Sequence, residues 1–362
     1  MNKTKELLTK IIEAIETGHL QIDDFLSDDI GSCFIQEIDL ALLLYKEEQQ
    51  EEIKKRAARL AEKLKGSRDN AQLYISIIDS MILCIDLISE EKEWFVNVNH
   101  WRQVHGDNNP EINDIIKYIE KTGEVNAISS EFTDEYTNYD CPVYFDDNCG
   151  MHYVMHREKK MYFPKDYNAE RVSEYYRGIV IEQDIRSPHC YYKDGYAVKH
   201  GDVVVDAGVA EGNFSLEHID MASHIYLIEA DESWIEALKE TFKNYSNKVT
   251  IIKGYLSDEM DGEHVSIDGL FSDLLINYIK MDIEGYERLA LLGSEGVIGK
   301  SNDIRCVICS YHKKGDEQWI REYMDGMLME NTTSKGYMIP TWDRSAYHDC
   351  EVRRGVVFGR KK

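Results

Sequence analysis

Several things are missing from this 362-residue chain, and each absence excludes a class of function. No apolar run approaches the length of about 20 residues needed to span a bilayer, so a membrane-embedded protein is not expected. Positive charge is scarce: 42 lysines and arginines stand against 67 acids, a net charge of −25. Such a field opposes phosphate backbones and anionic membrane surfaces, which argues against nucleic acid or membrane as partner. The eight cysteines form no extracellular framework and no paired knuckles. Cys306 and Cys309 make one C-x-x-C, but inside an apolar run that reads as a core strand. Met1 to Leu20 reads as a helix with acids on one face rather than a signal peptide. A soluble, cytoplasmic setting is expected.

What is present falls into two halves. From Glu6 to about Lys121 the pattern is helical. Leu7, Ile11 and Ile15 repeat at i, i+4, as do Ile38, Leu42 and Tyr45. Ile53, Ala57, Leu60 and Leu64 form a seam in a charged stretch; Leu73, Ile77, Ile78, Met81 and Ile85 form another face. Pro110 starts a last helix, Glu111 to Ile119. The charged stretch reads as one arm of a small helical bundle, with self-association through these helices as the alternative. No chemical constellation is found there. A domain of unknown role is therefore expected over residues 1–125, and a connecting segment over 126–200. In the latter, Met151–His156 and Lys160–Phe163 suggest a hairpin and Ala169–Val180 a helix. A third unit is expected over 201–362.

In that unit strands and helices alternate, the pattern of a parallel sheet covered on both faces. Strands are predicted at Val203–Ala207, Ile225–Glu229, Val249–Ile252, Tyr278–Met281 and Arg305–Cys309. Helices are predicted at Phe214–Met221, Trp234–Asn244, Gly285–Leu292 and Glu317–Met329. Tyr337–Pro340 and Val352–Gly359 read as a final antiparallel hairpin.

The first strand organises the rest. Val203-Val204-Val205 reads as buried on both faces, and Asp206 with Gly208 and Gly212 makes a D-x-G-x-x-x-G turn into a helix. A dinucleotide fingerprint has three glycines, with its acid only on the next strand. An acid ending the first strand repels a pyrophosphate and suits a cation, and S-adenosylmethionine carries an ammonium and a sulfonium. Ligands in such sheets sit beyond the carboxyl ends of the strands. There the second strand delivers Glu229, suited to ribose hydroxyls, and the third leads to Ser257 and Asp258, either an adenine contact or a helix cap. On the fourth, Lys280, Asp282 and Glu284 alternate and would share one side while the strand lasts. They read as a charge network fastening the strand end, or as groups beside the reactive sulfonium. The fifth delivers His312, a base for a hydroxyl acceptor or a satisfied structural histidine. No metal triad stands out, although Asp282 and Glu284 are of the type that hard cations recruit. There is no N-P-P-Y-type run of the kind amine- and base-directed methyltransferases use.

Residues from about Met161 to Phe358 resemble the FkbM family of S-adenosylmethionine-dependent methyltransferases. The motifs are Glu182-Gln183-Asp184 with Ser187-Pro188-His189, then VVVDAGVAEGNFSLE, YLIEADESWIEALKETF, IKMDIEGYERLALLG and CSYHKKGDE. The resemblance implies a class I, Rossmann-like α/β domain with a mostly parallel seven-stranded sheet. It also implies O-methylation of a sugar or small-molecule hydroxyl, with S-adenosyl-L-methionine as donor. It places donor contacts at Gln183, His189, Asp206, Gly208, Glu211, Gly212, Asn213, Glu229, Ala230, Ser257, Asp258 and Asp282. The catalytic candidates are His312 as first choice of base, Glu284 as second, and Asp282 holding the donor. The alternatives are a non-catalytic donor-binding or scaffold protein and, against the first-strand pattern, an NAD-dependent oxidoreductase.

Overall fold

The computed structural model describes residues 109–361 apart from 124, 344, 347 and 348, together with Arg102 and His105. The apolar repeats between Leu7 and Ile85 lie outside these residues. The described part belongs to a compact unit, Trp101–Lys362.

It begins with helix α1 (Pro110–Thr122). Asn109 Oδ1 accepts from the free amides of Glu111 and Ile112, Pro110 occupies the first turn, and Gly123 ends the helix in the left-handed region at φ 72°. A three-stranded antiparallel meander follows: β1 (Val143–Asp146), β2 (Met151–His156) and β3 (Lys159–Tyr162). The expected hairpin is its second half; β1, an edge strand with Tyr144 and Phe145 exposed, shows no apolar–polar alternation. Helix α2 (Ala169–Glu182) leads into the polar loop of residues 183–190.

The main sheet has seven strands: β4 (Val203–Ala207), β5 (His224–Glu229), β6 (Val249–Lys253), β9 (Tyr278–Met281), β10 (Arg305–Cys309), β11 (Glu330–Thr333) and β12 (Val356–Arg360). The pair β7 (Tyr255–Leu256) and β8 (His264–Val265) stands apart as a small ribbon. The order across the sheet is β11-β12-β10-β9-β4-β5-β6. The five strands from β10 to β6 run parallel; β12 is antiparallel to both its neighbours. This is a mixed seven-stranded α/β sheet, parallel through its centre, as the resemblance implied.

Alternation along β4 shows why the sheet is covered on both faces. Val204 packs into a core with Val172 and Ile179 of α2, and with Leu216 of α3 (Asn213–His218) and Leu238 of α4 (Glu232–Thr241). Val205 and Ala207 pack into the opposite core, made by α5 (Ile267–Phe271), α6 (Glu287–Leu292), α7 (Glu295–Lys300) and α8 (Asp316–Gly326). Cys306 lies in the second core and Cys309 in the first, so the C-x-x-C straddles the sheet and cannot close on one ion.

One element differs from expectation. The partner of the last strand is Glu330–Thr333, not Tyr337–Pro340, which makes a single bridge from Met338 to Arg353. The edge strand reads Glu-Asn-Thr-Thr, without the apolar run that marks a strand, because its burial is only partial.

Candidate active site

A cavity of about 970 Å³ lies beyond the carboxyl ends of β4, β5, β6 and β9. The β4–α3 turn forms its floor, the β6–β7 segment one side, and the loop after β9 with Tyr311 the other. Helix α2 and the loop behind it close the remaining wall through Tyr175, Glu182, Gln183, His189 and Tyr191.

The floor is built backbone on backbone. Gly208 has φ 67°, and a Cβ there would stand 1.7 Å from the carbonyl oxygen of Asp282. Only glycine lets β4 leave its turn this close to β9. Asp206 does not line the cavity. It is fully buried beneath the turn, accepts from Ser215 Oγ at 2.6 Å, and lies 3.1 Å from Lys280 Nζ, its register partner on β9. Lys280 Nζ also donates to Gly208 O at 2.7 Å. Burial disfavours the ammonium, but Asp206 and then Asp282 outweigh it, and the lysine pKa is raised. The expectation that Asp206 meets a cationic donor directly is therefore corrected: its charge is spent on Lys280, which locks the turn.

Of the other expected donor contacts, Gln183, His189, Gly208, Glu211, Asn213, Glu229, Ala230, Ser257 and Asp282 line the cavity. Gly212 and Asp258 do not. A Cβ on Gly212 would meet Leu238 and Phe242 at 2.9 Å, so that glycine serves α3–α4 packing. The Asp258 carboxylate instead accepts from Ser257 Oγ. Glu229 reaches back over the floor, accepting from the amides of Ala210 (2.9 Å), Ala230 (2.8 Å) and Asp231 (2.9 Å). Glu211, 7 % exposed, takes a bond from Tyr175 OH at 3.3 Å; burial pushes its carboxyl up to about 7.

The fourth strand ends at Met281, and the alternation of Lys280, Asp282 and Glu284 ends with it. Lys280 turns inward to Asp206. Asp282 faces the cavity: its Oδ2 accepts from Tyr191 OH at 2.6 Å and lies 3.3 Å from His189 Nε2, and its Oδ1 accepts from Tyr311 OH at 3.2 Å. Burial works against the Asp282 charge, but His189, Lys280 and His312 hold the carboxyl well below its usual range. Glu284 has a side chain 90 % exposed and a left-handed backbone, φ 55°, followed by Gly285 at φ 91°.

His312 is placed beside the cavity rather than in its wall. Its side chain is 6 % exposed, with Nδ1 2.9 Å from Glu287 Oε1 and Nε2 3.5 Å from both Asp282 Oδ1 and Glu284 Oε2. Burial opposes the charged ring, but Glu287, with Asp282 and Glu284 behind it, raises its pKa. That setting favours the charged ring over the neutral one, which weakens the case for His312 as a free base.

Sequence reasoning gave no role to Tyr191, Tyr311 or Glu287. Tyr191 carries no signal, since any aromatic beside Ser187-Pro188-His189 reads as core. Glu287 does: it closes the K-x-D-x-E-G-x-E run, and its Oε1 accepts from the amides of Ile283 (3.0 Å) and Gly285 (3.4 Å), pinning the turn that carries Asp282 and Glu284.

The methyltransferase FkbM domain matches residues 149–339, just over half of the chain. The chain belongs to that family. The match thus takes in β2 and β3 of the meander, the cavity and the sheet up to β11. Among solved structures it is similar to a methyltransferase FkbM from Methylobacillus flagellatus KT, with 19% identity over 51% of this chain and 50% of that one, TM-score 0.39. It is also similar to the M. jannaschii tRNA m1G37 methyltransferase (16% identity, 60% and 55% covered, TM-score 0.36) and to Trm5b from Pyrococcus abyssi (14%, 61% and 62%, TM-score 0.34). The match spans half the length of the Methylobacillus protein. No curated protein matches the chain. Methyltransferases of this family imply S-adenosylmethionine as the usual methyl donor. No helix among the described residues is long and apolar enough to cross a membrane.

Proposed function

We propose that the chain binds S-adenosylmethionine in this cavity and transfers its methyl group to a hydroxyl of a small molecule or sugar. One observation carries the reading: the cavity lining holds seven acids, among them Glu211, Glu229 and Asp282, against one lysine that is already bound to Asp206. A pyrophosphate would be repelled by that wall, whereas a ligand with an ammonium and a sulfonium is attracted. Glu229 is suited to the ribose hydroxyls, Glu211 and Asn213 to the amino acid end, and Ser257 with Leu256 to the base. The cavity is large enough for donor and acceptor together.

The bound donor supplies an electrophilic methyl group on sulfur. The chain's own part is to hold an acceptor oxygen in line and to manage its proton. Asp282, ionised and held by Tyr191 and Tyr311, orients; Glu284, exposed at the rim, is the carboxylate free to take the proton. Positioned proton transfer contributes roughly 10²- to 10⁴-fold.

Calorimetry with S-adenosylmethionine, S-adenosylhomocysteine and NAD tests the donor. Binding of the first two and not the third is expected; binding of NAD alone would overturn the reading. Turnover on any hydroxyl acceptor separates an enzyme from a donor-binding scaffold.

A further inference from the structure

His312 poses a problem that the donor pocket leaves unsolved. Its ring is buried, yet among the described residues Nε2 has no hydrogen-bond partner, although it is aimed between Asp282 Oδ1 and Glu284 Oε2, 3.5 Å from each. Buried polar atoms without partners are uncommon and ask for a cause.

The surroundings of the three groups supply one. On the far side of the ring, Nδ1 lies 2.9 Å from Glu287 Oε1, without the alignment of a full hydrogen bond. Glu287 is itself fully buried and tied to the amides of Ile283 and Gly285, so it holds the ring against the turn that bears both other carboxylates. Asp282 is divided in the same way. Tyr191 and His189 hold Oδ2, while Oδ1 takes the longer bond from Tyr311 and lies 3.5 Å from His312 Nε2. A carboxylate behind a histidine and donors behind a carboxylate are how proteins orient metal ligands.

We infer that Asp282, Glu284 and His312 form a site for a hard divalent cation, Mg²⁺ or Mn²⁺, at the rim of the cavity, with Glu287 as the residue that positions the imidazole. Two carboxylate oxygens and one imidazole nitrogen suit such an ion, which keeps water or substrate oxygens in its other positions. Asp282 Oδ1 and Glu284 Oε2 each stand 3.5 Å from His312 Nε2, and the exposed Glu284 side chain is free to turn and complete the set. Asp282, Glu287 and His312 also bring one ligand atom each within 4.8 Å of one another, as do His189, Asp282 and Cys309. The second group is the weaker candidate. It needs the Asp282 oxygen that Tyr191 holds, or a swing of Oδ1, and Cys309 is fully buried in the core.

Asp282 and Glu284 line the cavity, so the ion's remaining positions open into it. Resting on the methyl-transfer reading, this deepens the acceptor class. An acceptor with oxygens on adjacent carbons, a vicinal diol or a hydroxy-carbonyl, would replace two waters and present one oxygen for methylation.

Titration of the full chain with Mn²⁺, followed by electron paramagnetic resonance, tests the site. One Mn²⁺ per chain is expected, showing nitrogen modulation from a directly bound imidazole. Glu284→Gln, at an exposed side chain that leaves the fold intact, should weaken this binding about tenfold or more. His312→Gln should remove the nitrogen signal, with circular dichroism confirming that it folds. Mn²⁺ bound without nitrogen coupling, or equally well by Glu284→Gln, would overturn the site. S-adenosylhomocysteine binding, measured on the same samples, keeps the two readings apart. If it binds and Mn²⁺ does not, the cation site falls and the donor pocket stands. If Mn²⁺ binds with its nitrogen signature and S-adenosylhomocysteine does not, the reverse holds.

Discussion

Lys280 Nζ lies 3.1 Å from Asp206 Oδ1, and both side chains are all but removed from solvent. Two central strands are thereby joined by an ion pair directly beneath the turn that floors the cavity. Removing one member of a buried pair leaves the other charge uncompensated, at a cost of about 3–5 kcal/mol. Lys280→Met should lower stability in urea denaturation by that order. Adding Asp206→Asn should recover part of the loss. A single variant that unfolds where the wild type does would show that the pair carries no stability.

Gly208 and Gly201 make a matched comparison. Both have positive φ, but a Cβ on Gly201 meets nothing within 4 Å, whereas one on Gly208 would stand 1.7 Å from Asp282 O. Gly201→Ala should cost only the left-handed backbone term, about 1–2 kcal/mol. Gly208→Ala should cost more than about 4 kcal/mol, because the obstacle is backbone and cannot rotate away. Thermal melts decide it; equal losses would mean that the turn relaxes freely.

Glu229→Ala should act on ligand and fold together. Its carboxylate accepts from three amides, those of Ala210, Ala230 and Asp231. Their loss should lower stability by roughly 1–3 kcal/mol, and donor affinity by a similar amount if the ribose hydroxyls are also bound there. Calorimetry with S-adenosylhomocysteine gives the second number. Unchanged affinity with lowered stability would confine Glu229 to a structural role.

Glu211 should make stability depend on pH in a defined direction. Burial raises its carboxyl from 4.5 to about 7; Glu182 adds to the shift, whereas Lys280 and the hydroxyl of Tyr175 oppose it. The folded state therefore holds this proton more tightly than the unfolded chain. The contribution is complete below pH 4.5 and is lost as pH rises through about 7. It amounts to about 3 kcal/mol between those limits. Glu211→Gln should remove that slope, measured as the difference from wild type across the window. A donor bearing an ammonium should favour the ionised form, so its binding near pH 6 should release a proton.

The central sheet was legible in the sequence because its strands are buried on both faces. Val203–Ala207, Tyr278–Met281 and Arg305–Cys309 occupy the predicted positions, since a strand between two cores must be apolar on both sides. The turn after Asp206, the acid at Glu229 and the charged end of the fourth strand raise the expectation of a cationic ligand by residue type and order alone. The edge strand Glu330–Thr333 escaped, because a half-covered edge imposes no apolar pattern. Register was equally silent. It sets Lys280 against Asp206 and so turns an expected ligand contact into a buried pair. The end of β9 at Met281 sends Lys280, Asp282 and Glu284 to three environments, where alternation had put them in one row. Tyr191 and His312 converge on Asp282 from other parts of the chain. Residue types set which chemistry is present because charge and hydrogen-bonding capacity are local properties. Which groups meet is a matter of strand pairing over long separations, and only the folded chain decides it.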